Sequence, residues 1–385
     1  MPEGCVAADV DVIDTGDPDP VAGYDERRSR CPVAHDPAGW TLYRHDDVRA
    51  AALDDVTFSN ATSRFLKVPN GLDGAEHTAF RSLVDRYFTA ERLAVLQPTV
   101  ATVAQGLVDD IGAAPVRVDA VQLGARFAVR ASCAWLGWPA TIEAELLDWI
   151  SANRAATRSA DLDRTAAVAA WFDRIVHALV VERRERAPGS PGDVTSELVD
   201  DESLGRRLTD EEITSILRNW TGGDLDSLAL CAGVVLAYLA DNPALQSRAR
   251  AGISDVELNA VIDEILRIDN PFVSNRRITT TDTVARDRHI ARGQRVVLNW
   301  TAANRDPEVF GDPDTFDPEA NAPHNLVYGI GRHACPGRGL ATMELRLLTR
   351  ALLARTTAIS PDPDRARERT LPPSGGYSRV PLALH

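Results

Sequence analysis

The chain has 385 residues, 44% of them hydrophobic, and a formal net charge of −14. That length and apolar content allow a large core, and the acidic balance argues against sequence-independent nucleic-acid binding. No run of eighteen apolar residues occurs, so no transmembrane helix and no membrane partner are expected; Met1 to Asp19 is acidic, with no basic and apolar leader pattern, and does not read as a signal peptide.

Residues 1–17 read as a flexible N-terminal segment, ahead of a single domain over 18–385. Gly39 to Tyr43 reads as a strand, and Asp46 to Leu53 as a short amphipathic helix. Polar, irregular sequence runs from Thr57 to Gly74 and contains Lys67, the one lysine of the chain. Helical periodicity then covers about His77 to Ile111, Ala120 to Leu136, and Ile142 to Arg186, with a loop at Pro188–Asp193. Thr209 and Glu212 form a capping box that opens a helix running to Asn242. A further helix covers Asp255 to Ile268, a strand Arg295 to Asn299, and a last helix follows Cys335 to about Arg355. The pattern is mainly α with a small β region. Cys5, Cys31, Cys133, Cys231 and Cys335 contain no CxxC pair, which points to a reducing, cytoplasmic setting without structural zinc.

The most informative stretch is Tyr328-Gly329-Ile330-Gly331-Arg332-His333-Ala334-Cys335-Pro336-Gly337. It puts one cysteine on a glycine-rich loop that enters a helix, where backbone N–H groups and the helix N-terminus stabilise a thiolate. This stretch resembles the haem-thiolate signature of the cytochrome P450 family. A lone cysteine beside such a turn is ordinarily a buried structural residue. Four further motifs in family order favour the resemblance, which extends from about Pro18 to the C-terminus.

The resemblance implies the cytochrome P450 fold and a haem b with Cys335 as thiolate ligand. Tyr328, Gly329 and Gly337 would frame that ligand. His77 and Arg81, one helical turn apart, would serve the haem propionates with Arg277 and His333, Arg276 being the reserve if the register slips by one. Glu264 and Arg267 match the family's structural Glu-x-x-Arg pair. Ala320 stands where a third partner, an arginine, is usual, leaving Asn321 or His324 as candidates. In Asn219-Trp220-Thr221-Gly222-Gly223-Asp224-Leu225-Asp226-Ser227, two adjacent glycines inside a helix point to a close backbone approach. By resemblance Asp226 is the acid and Ser227 the alcohol of a proton relay for dioxygen, with Asp224 the acid if the register slips. Asn219, Gly222, Gly223 and Val273 fall on the family's substrate positions, as does Ser374-Gly375-Gly376. Pro336 lacks an N–H and so withholds one possible donor from the sulfur.

The implied activity is a monooxygenase that oxidises a small organic molecule, with polar or aromatic natural products fitting Asn219 better than plain hydrocarbons. Neither a fused flavin unit nor a four-cysteine cluster is apparent, so electrons would come from NAD(P)H through a separate ferredoxin and ferredoxin reductase, to a monomeric enzyme. The alternatives are oxidative coupling of aromatic rings on the same haem chemistry and a haem-thiolate sensor without turnover. The Asp226-Ser227 pair argues against the sensor.

Overall fold

Helix-forming periodicity and side-chain caps build a mainly helical molecule. The computed structural model describes residues 19–159, 161–186, 192–221 and 224–385; residues 1–18 and the glycines at 222 and 223 therefore lie outside the described residues, as does the side chain of Asp224. The first helices are α1 (Pro20–Arg30), α2 (His45–Leu53), α3 (Gly74–Asp85), α4 (Ala90–Asp110), α5 (Ala120–Leu136), α6 (Glu143–Ser159) and α7 (Leu162–Arg184). They are followed by α8 (Val194–Val199), α9 (Asp210–Thr221), α10 (Asp224–Asp241), α11 (Pro243–Arg250) and α12 (Asp255–Ile268). Three single-turn helices, α13 (Trp300–Ala303), α14 (Pro307–Phe310) and α15 (Pro318–Asn321), lead to α16 (Arg338–Arg355).

Two stretches expected to be continuous are divided by caps. Thr89 accepts a hydrogen bond from the N–H of Arg92 and starts α4 after a 3-10 turn at Arg86–Phe88. Asp161 accepts from the N–H groups of Asp163 and Arg164 and starts α7. Each cap is a single polar residue inside an otherwise helical pattern, and periodicity read over long windows averages across it.

The core is densest where α10 crosses α5, and small residues set their separation. A Cβ on Gly124 would come within 2.7 Å of the Ala232 Cβ and 2.9 Å of the Ala229 carbonyl, and one on Gly233 within 2.7 Å of Val121 Cγ2. The stretch Asp210–Asp241 is long and apolar enough, by length and composition, to cross a membrane, which the sequence reading did not anticipate. It is 75% buried inside the protein over its most apolar window, so core packing accounts for its composition.

The strands are β1 (Val33–Asp36), β2 (Gly39–Leu42), β3 (Phe58–Ser59), β4 (Val116–Asp119), β5 (Ser274–Thr279), β6 (Thr283–Ala285), β7 (Arg288–Ile290), β8 (Arg295–Asn299), β9 (Ile359–Pro361), β10 (Glu368–Arg369), β11 (Tyr377–Arg379) and β12 (Pro381–Leu384). The largest sheet has the order β1-β2-β8-β5-β3, with β2 and β8 parallel and Arg277 of β5 opposite Val296 of β8. Among the described residues, Cys133, Cys231 and Cys335 carry no disulfide.

Candidate active site

The loop bearing Cys335 is shaped by backbone requirements. Gly329 and Gly331 have φ of 69° and 78°, conformations that glycine adopts without strain. A Cβ on Gly331 would also come within 3.0 Å of Leu53 Cδ2 and 3.3 Å of the Ala52 carbonyl, so the loop seats directly on α2. The N–H of Cys335 donates to the Tyr328 carbonyl at 2.9 Å, folding the chain back just before α16. Gly337 is the N-cap of that helix. Cys335 itself is exposed. Tyr328 anchors the loop from behind: its hydroxyl meets the Thr342 hydroxyl at 3.1 Å, and the Arg338 guanidinium lies 5.4 Å from its ring centroid.

Arg81 lies against the cysteine loop. Its Nε donates to Asp85 at 2.6 Å, and its Nη1 donates to the Arg332 and Ala334 carbonyls at 2.8 and 2.7 Å. It therefore clasps the cysteine loop to α3. One turn earlier on α3, buried His77 packs against His333, ring centroids 4.0 Å apart and planes tilted by 43°.

Arg277 completes this basic cluster. It is 4% exposed, and its Nη1 donates to the Arg276 carbonyl at 2.9 Å. Burial pushes the Arg277 guanidinium down to about 10. Burial, reinforced by His77 and Arg277, pushes His333 down to about 4. Burial and the nearby Arg81 and Arg332 also hold His77 below the ordinary imidazole value. Asp73, which sequence reasoning missed, is the neighbouring acid, 3.8 Å from His333 Nε2. Its oxygens already accept from the Asn60 N–H at 3.0 Å and from the Ser59 hydroxyl. His333 Nε2 is buried without a hydrogen-bond partner. A cluster of buried bases beside an exposed cysteine, with one donor-capable nitrogen unsatisfied, has the donor set that a haem with its two carboxylates requires.

Below this loop, Glu264 and Arg267 are 2% and 0% exposed. Arg267 Nε and Nη2 bind the Glu264 carboxylate at 2.8 and 2.9 Å. The third partner is Asn321, whose amide donates to Glu264 Oε1 at 2.8 Å, beside the Asp317 N–H at 3.0 Å. His324 instead presents its carbonyl to His45 Nε2 at 2.9 Å.

The expected relay and substrate positions separate. Asp226 is ion-paired with Arg154 of α6, a partner 72 residues earlier that no local pattern signals. Ser227 follows it on α10, half-buried. Asn219 donates to the Val68 carbonyl at 2.6 Å, and Ser215, one turn before it, accepts from the Val68 N–H at 2.8 Å and donates to the Leu66 carbonyl at 3.1 Å. Asn219 is thus a clamp on the irregular 66–68 segment through its Nδ2. Replacing Asn219 with leucine destabilises the protein by about 1–2 kcal/mol and speeds proteolytic cutting within residues 61–72. Unchanged melting and cutting would contradict the clamp. Val273 packs in a small core cluster with Tyr24, Ala34, Tyr43 and Ala302, and the closest approach in that region is backbone: a Cβ on Gly375 would lie 2.5 Å from the Asn270 carbonyl.

Comparison with known proteins agrees with this geometry. The sequence profile described as Cytochrome P450 matches residues 156–379. The chain is 31% identical over 337 residues to the cyclomarin C epoxidase CymV of Salinispora arenicola, covering 83% of this chain and 84% of the relative. It is 29% identical to the erythromycin C-12 hydroxylase of Saccharopolyspora erythraea, covering 89% and 88%. Among solved structures, ligand-free cytochrome P450 TbtJ1 superposes with a TM-score of 0.82 at 26% identity, covering 95% of this chain and 97% of the other. A mutant of P450 EryK in complex with erythromycin B gives 0.81 at 26% identity, covering 94% and 95%.

Proposed function

The chain belongs to the cytochrome P450 family, and from that premise we propose that it is a haem-thiolate monooxygenase in which Cys335 is the axial ligand and the substrate is a small natural-product-like molecule. The observation that carries this reading is the basic cluster of His77, Arg277 and His333 beside the Cys335 loop, with His333 Nε2 buried and without a partner. Bound haem supplies the dioxygen-activating chemistry, with electrons from a separate ferredoxin and its reductase. The protein reads as a cytoplasmic monomer with residues 18–385 as one domain. The relatives named as an epoxidase and a hydroxylase support oxygen insertion rather than ring coupling.

The residues divide the work. Arg81 holds the cysteine loop through two carbonyls. Arg277, His333 and His77 bind the haem carboxylates. Asp226 and Ser227 pass protons into the site from α10. Asp226 rests in an ion pair with Arg154 through one carboxylate oxygen, which ties the relay acid of α10 to α6.

Arg277 gives a test with two signs. A buried cation held by a backbone carbonyl is costly in the haem-free protein. Arg277→Met therefore leaves the melting temperature of the haem-free protein equal or higher, while haem loss to apomyoglobin accelerates about tenfold or more. Unchanged haem loss would remove Arg277 from the haem-binding set.

A further inference from the structure

The cleft between α6, α10 and the C-terminal hairpin is built mostly from hydrogen-bond donors. Arg154, Thr157 and Arg158 line it from α6, Asp226 from α10, and Thr370 and Ser374 from the segment of β10 and the turn after it. Its acid is already committed, since Asp226 accepts from Arg154 Nε. Two polar atoms are left over. Arg154 Nη2 and Thr370 Oγ1 are both buried without a hydrogen-bond partner, and Thr370 is 7% exposed. Native structures seldom keep such groups buried and unsatisfied, so each calls for a partner, whether water, ion or ligand group. The cleft is partly open, with a volume of about 30 Å³, room for one small polar group rather than a whole substrate.

The chemistry of the lining selects that group. A guanidinium only donates, and a threonine hydroxyl donates when an acceptor is offered. With Arg154 matched by Asp226, Arg158 leaves the lining one uncompensated positive charge. An acceptor with two oxygens and a negative charge satisfies all three.

We propose that this cleft is a subsite for a carboxylate carried by the substrate, bound by Arg154 Nη2 and Thr370 Oγ1 with Arg158 alongside. The inference deepens the monooxygenase reading and rests on it, because the cleft adjoins Asp226. A carboxylate on Arg154 Nη2 shares that guanidinium with Asp226 on Nε, so substrate binding and the ion pair of the relay acid are linked.

The test titrates the haem-loaded full chain by calorimetry with matched pairs: decanoic acid, 4-phenylbutyric acid and N-decanoylglycine, each against its methyl ester. The acids bind at least about tenfold tighter than their esters. Arg154→Met and Thr370→Val each bring that preference to within about threefold, and Arg158→Gln weakens acid binding most at low salt. Because Arg154→Met also unpairs Asp226, Thr370→Val is the independent reading. Esters binding as well as acids, no acid binding at millimolar concentration, or a preference that survives both Arg154→Met and Thr370→Val overturns the subsite. The reduced carbon monoxide spectrum of the same samples separates the two claims. A thiolate spectrum with no acid preference removes the subsite alone, whereas a spectrum without thiolate ligation removes the monooxygenase reading.

Discussion

Arg267→Met lowers stability by about 3–5 kcal/mol, the cost of breaking a buried ion pair by removing one partner. Arg267 is fully buried, and its guanidinium serves more than the Glu264 carboxylate. Nη1 donates to the Asn304 carbonyl at 2.9 Å, and Nη2 to the Pro313 and Thr315 carbonyls, both at 3.1 Å. The plane also lies over Phe310, 4.8 Å from its ring centroid. Methionine keeps most of the volume but strands three carbonyls and leaves the Glu264 charge to Asn321 and the Asp317 N–H. Arg267→Lys rescues little, because a point charge cannot reproduce the planar fork. The measurement is thermal unfolding together with the yield of soluble protein. A loss below about 1 kcal/mol would class the pair with ordinary surface bridges and contradict its role in holding the segment before the cysteine loop.

Cys335→Ser has the opposite profile. In the haem-free protein the backbone N–H bond of Cys335 to Tyr328 survives the substitution, so stability without haem changes by less than about 0.5 kcal/mol. Turnover is abolished, because a serine hydroxyl cannot supply the electron density of a thiolate. Thermal unfolding of the haem-free protein and substrate oxidation by the haem-loaded protein check the two halves separately. A Cys335→Ser protein that unfolds early would make the cysteine structural, and one that still turns over would move the ligand elsewhere.

The sequence announced the fold where a helix or strand carries its own punctuation. Ala120–Leu136, Asp255–Ile268 and Arg295–Asn299 have the bounds expected of them, since Asp119 and Ser254 cap the two helices. Thr89 and Asp161 were missed because a cap is one residue and the periodicity on either side of it is unbroken. The short strand β3 lay inside a stretch read as irregular, since two residues carry no period.

Within the site, the residues near Cys335 in sequence were legible, and their geometry was not. His77 and His333 are 256 positions apart, yet their rings are in contact. Arg81 was read as a haem-carboxylate partner, and its Nη1 also holds two carbonyls of the cysteine loop, 251 and 253 positions away. Asn219 was read as a substrate contact, and it clamps Val68. Arg154 and Asp73 had no signal, because an ion pair or cap formed across distant segments leaves no spacing to recognise. Asn321 was one of two candidates beside Glu264, and only the turn at α15 distinguishes it from His324. Gly222 and Gly223 lie outside the described residues, and their expected place over the site stays with the sequence argument.

The central claim is that Cys335 binds haem iron as a thiolate, and the visible spectrum of the reduced protein with and without carbon monoxide tests it most directly. A strongly red-shifted Soret band in the carbon monoxide complex is the predicted result. A band at the position typical of histidine- or thiol-ligated haem would contradict it.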